Sequence, residues 1–382
     1  MNKHILALAG GLLACVSLPL QAVEVTVSGY ASFAGTYSDS EDSNGNPVPY
    51  YFELADDTAR FDTEDNDIGL QFSAAASDKV DMTVVLHAQG GADNYDIDTQ
   101  WAYASYHFND ELELRMGKYK GPFYMISDYK DVGYAYPWVR PPLEVYSTNP
   151  IEALSGLDLI WQKNVGDLRY LFEIYAGNGT HDARMLPESA DFMDAMFSTG
   201  SKPGDPVSFE TPNSRGLNVS VSGDIGSFRL GYYETDVNAQ VGPFTLDEAP
   251  GSFTSAGFTI DWNDMVAYSE YIIRDTDDSQ AMQFAFPDQE AYYLTLGYRV
   301  DRFLPYVTYA KIDEGDFKSP VAQVQESVAL GLRTEIGDAS AIKFEIMNAE
   351  PQANSAGSTY GLFNAGTVED GNIYTVTFDT IF

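Results

Sequence analysis

The stretch GNIYTVTFDTIF (371–382) alternates without a break. Tyr374, Val376 and Phe378 fall on one face and Phe382 returns to it, while Thr375, Thr377 and Asp379 take the other. A period of two marks a strand with one apolar and one polar face. Chain ends usually fray, so a strand pattern kept up to Phe382 implies a partner for its aromatic face. The pattern recurs upstream. KVDMTVVLHAQ (79–89) sets Val80, Met82, Val84 and Leu86 against Asp81, Thr83, His87 and Gln89. DLRYLFEIYAG (167–177) sets Leu168, Tyr170, Phe172 and Ile174 against Arg169 and Glu173, and VALGLRTEI (328–336) and AIKFEIM (341–347) behave alike. Helical character is confined to a short piece near SADFMDAMF (189–197).

The connections fall into two classes. ASDK, FNDE, NVGD, SGDIGS, WNDM, VDRF and IGDAS are short and rich in Asn, Asp, Gly and Ser, as tight hairpins require. Longer connections lie between them, near 38–65, 90–96, 120–154, 178–212, 238–251, 275–288, 313–323 and 351–369. Short and long alternate along the chain, and the segmentation yields about sixteen strands. The expected fold is all-β: a transmembrane antiparallel up-and-down β-barrel over residues 23–382, short turns at one end and long loops at the other. A soluble sandwich has no reason to sort its loops by length.

MNKHILALAGGLLACVSLPLQA (1–22) has Lys3, an apolar run and Ala22, the layout of a cleavable secretory signal peptide. The competing reading is a lipoprotein box ending at Cys15; either way the chain is exported. Cys15 is the single cysteine, so disulfides are not expected to hold the exported domain. A formal charge of −36 argues against nucleic acid. The same acidity would suit a disordered chain, but 26 Tyr and 22 Phe require a folded one.

At Phe382, Phe378, Val376 and Tyr374 the chain resembles the Gram-negative outer-membrane porins, whose members end in Phe after alternate apolar residues. The resemblance implies that these four residues form the signal read by the barrel insertion machinery. Thr380 departs from the pattern, where an aromatic or aliphatic residue is usual. Text such as PFYMISDYKDVGYAYPWVRPP (122–142) also looks like proteobacterial porins. In general porins the third long loop folds into the barrel and narrows it, and a basic residue precedes it. MGKYK (116–120) resembles that strand end, with Lys118 in the position of the family's Arg; Lys keeps the charge and loses the planar fork.

The third long connection, about 120–154, suits a plug on its own chemistry; the competing reading is an external loop lying over the rim with its carboxylates solvated. Pro122, Pro137, Pro141, Pro142 and Pro150 stiffen it, and its Tyr and Trp suit a wet lumen. Asp128, Asp131, Glu144 and Glu152 are its candidate constriction carboxylates, facing a basic wall of Arg115, Arg169, Arg229 and Arg333 by strand parity. Parity also places Arg299 and Lys343 on that side. Lys118 has the outward parity of Met116, so only the resemblance puts it at the constriction.

The expected function is a water-filled channel for passive diffusion of small hydrophilic solutes and ions across the outer membrane. The resemblance implies a homotrimer surrounded by outer-membrane lipid and lipopolysaccharide, and the small residues of VSGYASFAG (27–35) would let subunit walls approach. Two alternatives stand. Tyr124, Tyr129, Tyr134, Tyr136 and Trp138 would form the aromatic slide of a sugar-selective pore. A barrel enzyme would need a His-activated nucleophile, but the chain has four His and no Gly-x-Ser-x-Gly elbow. No cofactor and no metal is expected; DSEDSNGN (39–46) and DTEDNDIG (62–69) lack the closing Glu of a calcium loop.

Overall fold

The computed structural model describes residues 24–52, 54–91, 95–366 and 368–382; the expected leader, residues 1–22, and Val23 lie outside the described residues. Sixteen antiparallel strands close into one barrel, each paired with its chain neighbours, and β1 pairs with β16. The first eight are β1 (Val25–Ser38), β2 (Asp67–Ser77), β3 (Val80–Gln89), β4 (Ile97–Asn109), β5 (Leu112–Lys120), β6 (Ala153–Val165), β7 (Leu168–Arg184) and β8 (Pro206–Gly223). Then come β9 (Gly226–Val241), β10 (Phe244–Trp262), β11 (Met265–Thr276), β12 (Gln289–Tyr298), β13 (Phe303–Glu314), β14 (Gln325–Glu335), β15 (Ser340–Pro351) and β16 (Gly371–Ile381). Closure pairs every strand on both sides and leaves no sheet edge.

The short turns fall where Asn, Asp and Gly predict them. Asn263 and Asp301 adopt the left-handed conformation in WNDM and VDRF, and Gly166 and Gly337 do so in their hairpins. One long connection differs. The segment 238–251 is no loop: β9 and β10 continue pairing up to Val241 and Phe244, and Gly242-Pro243 makes the turn. A register shift between Leu246 and Ala249 absorbs the irregularity. Likewise β7 and β8 pair as far as Arg184 and Pro206, which shortens the 178–212 loop. Extended polar strands satisfy their backbone by pairing wherever a neighbour continues beside them. The helical piece forms as α1 (Pro187–Phe197), but helix is not confined to it: short helices also form at Leu143–Tyr146 and at Gln280–Ala285, the latter capped by the Ser279 hydroxyl.

The outer surface carries the apolar face. Leu157, Leu159, Ile174, Leu230, Leu294, Leu330, Ile346 and Val376 are exposed there. Exposed aromatics cap this belt at both ends: Tyr37, Tyr232, Tyr271, Tyr292 and Tyr374 toward the long loops, and Phe108, Trp161, Trp262, Tyr298 and Phe382 toward the short turns. Polar residues such as Thr295, Thr308, Arg333, Lys343 and Thr377 point inward and are buried. Among the described residues no helix is long and apolar enough to cross a membrane.

Candidate functional site: the third loop and the channel beside it

The segment between β5 and β6, residues 121–152, runs along the inner wall. Its apolar side chains Phe123, Tyr124, Ile126, Tyr136, Trp138 and Val145 are buried in one cluster with inward-facing Tyr175, Tyr233, Phe253, Tyr293 and Tyr306. Edge-to-face ring pairs run through it, Phe123 on Tyr233 at 4.7 Å and Trp138 on Tyr293 at 5.4 Å. The Trp138 indole N–H donates to Thr295 Oγ1 at 2.7 Å and Thr308 Oγ1 at 3.2 Å.

Four inward cations hold the loop by its backbone. Arg229 donates to the Pro122 carbonyl at 2.9 Å, and Arg274 to the Thr148 carbonyl at 2.5 Å. Arg333 donates to the carbonyls of Tyr134 and Tyr136 at 2.6 and 2.7 Å. Lys343, with no exposed surface, donates to Gly133 and Trp138 at 2.6 Å each and pairs with Asp379 at 3.1 Å. At the loop tip the backbone of Gly133 presses on the wall: a Cβ there would lie 2.3 Å from Asp379 Oδ1 and 2.5 Å from Ser32 Oγ. Glu270 completes the clasp, accepting from the Met125 amide and the Tyr146 hydroxyl at 2.8 Å each.

The sequence-read residues divide accordingly. Arg229 and Arg333 meet the loop, but at its carbonyl oxygens rather than its carboxylates. Arg115 pairs with Glu113 at 2.9 Å and Asp158 at 3.6 Å and stacks over Tyr103. Arg169 donates to Gln162 beside a short turn, and Arg299 forks onto Asp261 at 2.5 and 2.6 Å; neither contacts the loop. Lys118 is exposed and donates to the Thr99 carbonyl at 2.8 Å. The cation of that strand that reaches the loop is Lys120, whose ammonium pairs with Asp131 and lies over Trp101. Strict alternation from Arg115 would aim Lys120 outward. A register shift in β4 that leaves Gln100 as an extra residue accompanies its inward turn.

On the loop itself, Asp131 also accepts from Gln100 at 2.6 Å. Burial pushes the Asp131 carboxyl up, but the Lys120 and Lys130 cations outweigh this and hold it below the ordinary carboxylate range. Lys130 pairs with Glu152, which lowers the Glu152 carboxyl in turn. Glu144 is fully buried and accepts from Gln325 at 2.8 Å. Asp128 is exposed and has no cation partner among the described residues.

Sequence reasoning missed Arg140, whose Nε–H is shared between the two Asp65 carboxylate oxygens at 2.9 and 3.0 Å, and whose Nη2 donates to Asp65 and to Thr375 Oγ1, the latter at 2.8 Å, tying the loop to β16 and the first long connection. It also missed the inward aromatics. Tyr175 in phase with Glu173, and Ile272 in phase with Glu270, are large apolar residues on the polar face, and that signal marks where the loop docks.

The loop packs on the lumen wall from Tyr175 of β7 round to Ser32 of β1. Beside it lies a cavity of about 770 Å³, lined by the opposite wall from Asp67, His87, Asp96, Asp98 and Gln100 round to Thr180 and Arg184, with Lys130, Asp131 and Arg140 on the loop side. Of the five third-loop rings read as a slide, Tyr136 lines the cavity, while Tyr124, Tyr129, Tyr134 and Trp138 are absent from its lining; Tyr124 and Trp138 are packed against the wall, so the five make no continuous path. Among the described residues no hydrogen bond joins a His to a Ser; His107 meets Asp81 at 2.8 Å and His181 meets Thr211 at 2.9 Å. Nor is any group of three or more His, Cys, Asp or Glu among them placed to hold a metal.

No protein-family model and no curated protein matches the chain. Solved structures do. The chain is similar to the anion-selective porin of Comamonas acidovorans (TM-score 0.58, 13% identity, 94% of this chain and 100% of that one). It is also similar to the outer-membrane channel DcaP of Acinetobacter baumannii (TM-score 0.58, 12% identity, 94% and 97%). The trimer form of OmpT from Vibrio cholerae matches with TM-score 0.55 and 13% identity over 94% and 100%. The fold is therefore that of Gram-negative outer-membrane porins, recovered over nearly the whole chain.

Proposed function

We propose that the protein is an outer-membrane channel for passive diffusion of small hydrophilic solutes, exported with residues 1–22 as its leader. One observation carries the reading. A closed barrel shows an apolar, aromatic-capped belt outside, and a polar cavity persists inside beside a loop that narrows the lumen. A soluble container would not expose that belt. The test is ion current: purified protein in a planar bilayer yields discrete conductance steps, and a protein that inserts without conducting refutes the channel.

Sugar selectivity along an aromatic slide is not favoured, because Tyr124 and Trp138 are packed in the loop anchor, Tyr134 lies against Arg333, and of the five rings Tyr136 alone lines the cavity. A homotrimer is the proposed assembly. OmpT of the same fold is described in a trimer form, and closed symmetry is the default for homo-oligomers; the small residues of β1 are not bare, since the Phe382 and Phe61 rings cover Gly29 and Gly35. Scattering mass in detergent distinguishes trimer from monomer. The proposed surroundings are outer-membrane lipid and lipopolysaccharide.

A further inference from the structure

We propose that the passage beside the third loop prefers cations, and that Asp96 and Asp98 on the β4 side set this preference. The inference rests on the channel reading and names the solute class: small cations and solutes bearing a positive group.

Eight carboxylates and five lysines or arginines line the cavity. Most of the cations are spoken for. Arg140 is paired with Asp65, Lys130 with Glu152 and Arg184 with Glu64. Arg274 is turned onto the carbonyls of Thr148 and Pro287, and Lys118 onto that of Thr99. The acids are not matched in the same way. Asp96 and Asp98 are exposed to the cavity and have no ion pair among the described residues. Asp98 is directly opposite His87 in the sheet, and His87 is directly opposite Gly69, against which the inward Tyr30 ring packs; all three therefore face the lumen.

A second observation points the same way. Gln100 follows on the same wall and is only 8% exposed. Its amide is fixed by Asp131, while its carbonyl Oε1 lacks a hydrogen-bond partner among the described residues, as does Asp67 Oδ1 nearby. Carboxylates and an open amide carbonyl are oxygen donors of the kind hard cations accept. Field lines focus in a narrow passage with low-dielectric walls, so two uncompensated charges there outweigh many on the outer loops.

The experiment is the zero-current potential of the purified full-length protein across a tenfold KCl gradient. The expected sign is potassium preference. D96N/D98N should lower the potassium-to-chloride permeability ratio by about twofold or more, as follows from unit charges about 10 Å from a permeating ion in water. D98E should retain the preference, and E41Q/D57N, exposed outside the cavity, should leave it unchanged. If the double variant fails to insert, D96N and D98N are measured singly. Chloride preference in the unmodified protein, or an unchanged ratio in conducting variants, overturns the inference and spares the channel. Absence of any current overturns the channel reading and this inference with it.

Discussion

Gly29 and Phe382 exchange two backbone hydrogen bonds, of 2.8 and 2.9 Å, and so extend the seam between β1 and β16 to its short-turn end. The Phe382 ring lies over Gly29, where an added Cβ would meet its Cζ at 2.6 Å and the Gly69 carbonyl at 2.8 Å. One residue thus serves closure twice, by its backbone and by covering a glycine. Thr380, which departs from the porin pattern, has its own work: its hydroxyl meets Ser340 at 2.8 Å and the Ala339 carbonyl at 3.1 Å, pinning the last short turn.

Deleting Phe382 should leave synthesis intact and strand the chain short of the outer membrane, because both the proposed insertion signal and the end of the seam are lost. Gly29→Val should do the same in part, by displacing the ring. Quantifying the protein in outer-membrane and periplasmic fractions decides it; normal outer-membrane levels of the truncated chain would refute the role of Phe382.

Lys343→Met should free the tip of the third loop. The substitution strips Gly133 and Trp138 of their donor and leaves Asp379 buried without its cation. Removing one partner of a buried pair costs about 3–5 kcal/mol. Denaturant unfolding in detergent should show that loss, and single-channel records should become noisier. A milder probe is Gly133→Ala, which has no room for its Cβ and should raise the noise with less loss of stability.

Replacing Asp128 and Asp131 with Asn should move the reversal potential toward anions, and replacing Arg115 and Lys118 with Gln should move it toward cations. Since Asp131 is already paired with Lys120, most of the first shift should come from Asp128, and D131N should act mainly by loosening the loop. Asn substitutions in the 39–46 loop should matter far less. If they matter more, the selective charges are external.

The α1 helix should undock as pH rises. Glu188 in its first turn is nearly buried and hydrogen-bonded to Ser358 in the last long loop; burial, with Asp191 adding to it, pushes its carboxyl up to about 8. The folded state therefore favours the protonated acid. Its contribution is full below the ordinary glutamate range and is lost as pH rises through about 8. Proteolysis of the 185–205 segment should accelerate over that window, and E188Q should abolish the dependence. Cleavage insensitive to pH in the unmodified protein would refute the docking contact.

Much of the barrel was legible because its signals are local. Alternation has a period of two, tight turns need particular residues at particular torsions, and a wall facing apolar surroundings on one side and water on the other repeats this for every strand. Residues 371–382 alone carry the strand, its faces and its end. The third loop was legible as a length and a proline-rich composition. What only the tertiary structure decided is where each charge is spent. Arg229, Arg333 and Lys343 have the inward parity that alternation assigns them, yet their partners are carbonyl oxygens about a hundred residues or more away in the chain, and a carbonyl has no letter in a sequence. Lys120 and Gln100 depended on a bulge, and the 238–251 hairpin on a neighbour that kept pairing. Asp96 and Asp98 carry uncompensated charge only because register and closure put the cations elsewhere, a property of the closed barrel and not of any segment of it.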